Sequence, residues 1–171
     1  MIIDPDEVAA TGKERATAHW AVFARLSPRL QAGDEVLAAR LDGILAKVSA
    51  QIDCTACGRC CRQMGPPLDE ADLIRLETGL NLDRATMQSR LLRPMWPGAA
   101  ADDQVWLLPD PCPLHDGRLC TVYEHRPQVC RDFPQAVGAN PVERLQVWVE
   151  YARICPITFN TIERIALDNG R

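Results

Sequence analysis

The sequence is poor in aromatic residues, at 5% of the chain, and has no apolar run near the ~20 residues a transmembrane helix needs. A membrane-spanning protein is therefore not expected. Positive charge is also in deficit: the formal net charge is -4, and no basic stripe alternates with aromatics. That balance excludes general attraction to nucleic-acid phosphates. The opening residues, Met1-Ile2-Ile3-Asp4-Pro5-Asp6-Glu7, are acidic where a secretory leader is basic, and no apolar stretch follows them. The expected location is cytoplasmic. There is no serine-histidine-acid order, no HExxH, no phosphate loop and no glycine-rich strand-to-helix turn for a nucleotide, so the sequence assigns no catalytic residue.

What the chain has in abundance is cysteine. Cys54, Cys57, Cys60 and Cys61 fall within eight residues, and Cys112, Cys120, Cys130 and Cys155 follow. Thiols crowded this way oxidise and exchange unless something binds them. In a reducing compartment, ligation is the preferred explanation, and structural disulfides rank behind both metal readings. All eight are candidate metal ligands. At 171 residues the chain fits one domain large enough to bury a core without a metal, with ordinary hydrophobic (47%) and charged (25%) fractions.

Helical periodicity dominates the rest. Residues 1–53 read as a helical arm: Asp34 caps a stripe of Leu37, Leu41, Ile44, Leu45, Val48 and Ile52, and an earlier helix with Trp20, Phe23 and Leu26 facing the core closes near Ser27-Pro28. Residues 54–134 form the cysteine-cluster region. Within it Asp69 caps a short helix stopped at Gly79, and Asp83 caps another ended by Pro94. Residues 94–104 read as a loop and Val105–Leu108 as a strand. With His115-Asp116-Gly117 as a turn, a hairpin is expected that carries Cys112 and Cys120. Thr121 to Glu124 fits a capping box, and Pro127 opens the helix that presents Cys130. Residues 135–171 are a C-terminal helical segment, with one helix from Asn140-Pro141 (a strand is the second choice) and another ending at Asn169-Gly170. The predicted fold class is mainly α: a single small domain, 1–171, of helices packed around a cysteine-rich metal-binding centre with a short β-hairpin.

The spacing of Cys54, Cys57 and Cys60 lets one tight loop aim three sulfurs at a centre, and Gly58 can take the positive φ this needs. Adjacent Cys60 and Cys61 project apart, so one is expected to face elsewhere. Three cysteines at two-residue spacing plus a remote Cys-Pro is the bacterial ferredoxin arrangement, and Cys112-Pro113 and Cys155-Pro156 both offer one. An iron-sulfur cluster on Cys54, Cys57, Cys60 and one of Cys112, Cys120 or Cys130 is the first reading, with a redox, electron-transfer or protein-maturation role on a protein partner. A non-ligand Cys61 near it would be a reactive thiol. The alternative is zinc in a non-catalytic interaction module. His115 and His125 are expected to be exposed, and His19 to lie on a helix face. Arg59, Arg62, Arg118, Arg126 and Arg131 gather near the thiols in sequence and can offset thiolate charge.

Cys54-x2-Cys57-x2-Cys60-Cys61, Cys112-Pro113-Leu114, and the run from Cys120 through Tyr123-Glu124-His125-Arg126-Pro127 to Cys130-Arg131-Asp132-Phe133-Pro134 resemble the YkgJ-like cysteine-cluster family. Residues 68–92 resemble the helical insert of that family. The resemblance implies zinc or iron chelation and attaches no general reaction.

Overall fold

Five of the longer helices begin where the sequence supplies a capping side chain. In the computed structural model, which describes residues 1–98, 104–117, 119–135 and 140–168, Asp4 accepts hydrogen bonds from the amides of Asp6 and Glu7 and starts α1 (Pro5–Glu14). Then come α2 (Ala16–Gln31), and α3 (Glu35–Ser49) capped by Asp34. The cysteine run forms two short helices, α4 (Cys54–Cys57) and α5 (Arg59–Gln63). Next are β1 (Pro67–Leu68), α6 (Glu70–Leu80), α7 (Arg84–Leu91), β2 (Arg93–Pro94), β3 (Trp106–Leu107) and a 3-10 turn over Tyr123–His125. The chain closes with α8 (Gln128–Asp132), α9 (Pro141–Tyr151) and α10 (Pro156–Leu167). The protein is mainly α, and among the described residues no helix is long and apolar enough to cross a membrane.

Contacts gather the chain into two units: Met1–Cys57 with Asp132–Arg171, and Gly58–Arg131. In the first, α10 packs against α2, α3 and α9, and α2 also packs on α9. Leu41 and Leu45 of α3, Leu145 and Trp148 of α9, and Phe159 and Ile162 of α10 are buried. Each stabilises the unit by roughly 1.5–3 kcal/mol. α10 is not simply amphipathic, because Thr158, Asn160 and Thr161 are buried along with its apolar residues. Their polar atoms are satisfied: Thr158 and Thr161 donate to the carbonyls of Cys155 and Ile157, and Asn160 exchanges hydrogen bonds with the backbone of Ile2.

Two expectations for α2 need correction. The helix runs through Pro28, whose ring faces outward while Leu26 and Leu30 on either side are buried. Its inner stripe is His19, Val22, Leu26 and Leu30, and Trp20 is 42% exposed. His19 is buried because its Nε2 meets Glu163 Oε1 at 2.7 Å and its ring stands edge-on to Phe159.

The second unit has a core of Leu68, Leu73, Leu76, Met87, Leu92, Leu108, Leu114 and Val122. β3 is the middle strand of a small antiparallel sheet, paired with β1 and β2, and the prolines sit on those edge strands where a missing N–H is tolerated. β3 therefore does not pair with residues 119–122. The expected hairpin reduces to one bridge, His115 with Cys120, and Gly117 makes its turn at φ 99°. Residues 99–103 of the expected loop lie outside the described residues, as do Asn169 and Gly170.

Asp69 and Asp72 form a reciprocal capping box at the start of α6. The helix ends at Leu80, with Asn81 in the left-handed region, and not at Gly79. Gly79 is required for a different reason: a Cβ there would meet the His125 Cβ at 2.5 Å. Thr121 does not cap the turn that follows it; its hydroxyl bonds the Leu114 carbonyl. Asn140 caps α9, so the helix reading of that segment holds.

Candidate metal centre

Four separate stretches of the second unit each deliver a cysteine. Gly58, at φ 59°, turns the chain into α5, which carries Cys60 and Cys61. The Cys112 amide donates to the Arg62 carbonyl at 2.9 Å and ties the Cys112 segment to the end of that helix. His115 N donates to Cys112 O, and Thr121 N donates to Leu114 O at 2.8 Å, which folds Cys120 back along the same segment. Leu114 and Val122, both buried, anchor this reversal. Cys130 sits on α8, its amide bonded to Pro127 O.

Four of these thiols influence one another electrostatically. Burial pushes the Cys130 thiol up to about 12, with Cys61, Cys112, Cys120 and Asp72 adding to the shift. Cys112 is raised by burial first, and then by Cys120 and Cys61. Cys120 is raised by burial, with Cys61 and Asp116 opposing the Val122 amide and Arg126. Cys61 moves the other way, down to about 6, chiefly through the hydrogen bond from Cys60 and then through Arg126. Cys61 is the thiol that ionises most readily, while burial first, and the Cys61 charge after it, keeps the other three protonated. A cation among them would remove that conflict, and four thiols with no carboxylate form a donor set suited to zinc or to iron-sulfur. As placed, no three His, Cys, Asp or Glu side chains among the described residues are close enough to grip an ion.

Residues 53–156, a span holding all eight cysteines, match the CxxCxxCC family, described as "Putative zinc- or iron-chelating domain". The chain belongs to the CxxCxxCC family. No curated protein and no solved structure matches it. The match extends past residue 134 to take in Cys155.

Within this CxxCxxCC domain, Arg126 is the arginine whose charge reaches the sulfurs. Its guanidinium lies 3.9 Å from the Tyr123 ring centroid and donates to the Tyr123 carbonyl at 2.7 Å. Arg131 is spent on backbone, donating to the carbonyls of Arg126 and Glu124. Arg118 lies outside the described residues. His115 is half-buried where exposure was expected, and its Nδ1 accepts from the Gly117 amide at 3.0 Å. That bond leaves the proton on Nε2, which is a donor and offers a metal no lone pair. His125 packs against Gly79 and is likewise half-buried.

Cys60, in the second unit, is buried beside Cys61, and the other three cysteines of the family span belong to the first unit. Cys54 is exposed, Cys57 half-buried and Cys155 buried. Burial pushes Cys155 up to about 11, and Cys54 adds to the shift, so these two sulfurs sense one another. Sequence spacing grouped Cys54 with Cys57 and Cys60 and offered Cys155-Pro156 as one of two remote Cys-Pro pairs; the structure puts Cys54, Cys57 and Cys155 in the first unit and Cys60 in the second. Asp72, which acts on Cys130, was also missed; its spacing from Asp69 announces a capping box and nothing more.

Proposed function

We propose that this metal-binding protein holds an iron-sulfur cluster through Cys61, Cys112, Cys120 and Cys130 and serves a redox or maturation role on a protein partner. The observation that carries the reading is that the half-buried thiols Cys112, Cys120 and Cys130, from separate stretches of the second unit, lie within electrostatic reach of the Cys61 thiol, with Arg126 acting on Cys61 and Cys120. Sulfurs gathered this way are costly to ionise together unless a cationic centre joins them. The Cys112-Pro113 pair favours iron-sulfur as that centre. A cluster supplies one-electron chemistry when bound, and the chain contributes burial, thiolate ligands and a fixed guanidinium that lowers the net charge of the site.

Anaerobically purified protein should be brown and contain iron and sulfide, and Cys112→Ser should lose most of the visible absorption. A colourless protein with stoichiometric zinc would sink the iron-sulfur assignment. It would support the second reading, a zinc-ordered interaction module, which the all-thiol donor set serves equally well.

A further inference from the structure

Asp72 is 4% exposed, and a buried carboxylate is tolerated only when its oxygens are well bonded. It lies in the first turn of α6, where it accepts from its own capping box and pairs with Arg75. One of its bonds reaches far along the chain. The Gln128 amide donates to Asp72 Oδ1 at 2.8 Å. Gln128 is the first residue of α8, and the amides that open a helix have no partner inside it. Within α8 the amides of Cys130 and Arg131 both use Pro127 O, so the Gln128 amide depends on a group from elsewhere, and Asp72 supplies it.

We infer that Asp72 is a positioning residue for the metal centre, capping α8 from a distant helix and fixing where Cys130 meets the other three sulfurs. The inference rests on the four-thiol reading above. The local bonding supports it. Besides the Asp72 bond, the segment from Tyr123 to Arg131 is pinned by its own turn, by the Arg131 contacts to backbone carbonyls, and by His125 against Gly79. The Asp72 bond reaches the opening of α8 from outside that segment. The carboxylate also brings negative charge near Cys130, which favours a cation there. Groups that orient metal ligands in this way typically cost 10–100-fold in metal affinity when removed.

The test uses the full chain, reduced and metal-free, titrated with Co2+, whose thiolate charge-transfer absorption reports how many sulfurs bind. Gln128→Pro deletes the one amide and leaves Asp72, its capping box and Arg75 in place; proline is well tolerated at a first helical position. Gln128→Pro should bind Co2+ about 10–100-fold more weakly, with the band per cobalt reduced by the share of one thiolate. Asp72→Asn, which keeps an acceptor oxygen and loses the charge, should keep the full band at intermediate affinity. Asp72→Ala should match Gln128→Pro; if it fails to fold through loss of the α6 cap, Gln128→Pro decides alone. Wild-type affinity and band in Gln128→Pro would overturn the role of Asp72 and leave the four-thiol reading standing. Absence of the thiolate band in the wild-type chain would overturn both.

Discussion

The two units of the chain hold themselves together by different means. In the first, helices of 10 to 16 residues bury apolar faces against α10, and the buried hydroxyls and amide of that helix are bonded to backbone. In the second, the strands are two residues long, α5 and α8 span five residues each, and the core is eight buried side chains. Helices that short are not stable alone. The contrast is between a unit held by long buried helix faces and one whose short cysteine-bearing segments would gain most from the metal centre proposed above.

The strongest way to break the comparison is to remove the metal. A structural zinc contributes on the order of 10–16 kcal/mol of apparent binding energy in small peptides. Chelation under reducing conditions should therefore deprotect the amides of α8 and the 3-10 turn in hydrogen exchange while those of α10 stay protected. Equal loss in both units would mean that the first also depends on metal.

A core substitution sharpens it from the other side. Trp148 is 1% exposed, and its indole N–H donates to the Pro134 carbonyl at 2.8 Å. Trp148→Ala should cost about 3–5 kcal/mol in urea unfolding and leave metal content unchanged. A cost under about 1 kcal/mol would contradict the packing described.

A third test concerns protons. Cys112, Cys120 and Cys130 are raised above the ordinary thiol value of 9.0, so they are protonated at neutrality without metal and must release protons to bind it. Cys61, lowered to about 6, is already ionised there and releases none. Affinity should rise as pH rises, about tenfold per pH unit for each proton displaced, as read by competition titration from about pH 6 to 8. A flat profile would rule these thiols out as ligands.

The helical class was legible because its signals are local. Asp34, Asp69, Asp83 and Asn140 each cap the helix that follows, and Gly58 takes the positive φ its position suggested. What escaped is decided between residues far apart. His19 is inside because Glu163 awaits it, and Gly79 is glycine because His125 packs on it. α2 continues through Pro28 because burial of Leu26 and Leu30 outweighs one missing hydrogen bond. The candidate site divides in the same way. The eight cysteines were plain, but the grouping of Cys61 with Cys112, Cys120 and Cys130 follows from the backbone bonds that tie Cys112 to Arg62 and from the His115–Cys120 bridge. None of these has a sequence signature.

That α10 is the common partner of α2, α3 and α9 has a bearing on biosynthesis. A chain emerging from the ribosome exposes the leucine faces of its early helices before the helix that will cover them has been translated. Residues 58 to 131 leave the exit tunnel during that interval, at ~5–20 residues per second. Cofactor delivery to the cysteines of that stretch can thus precede completion of the bundle, because the residues of α10 follow them in the chain.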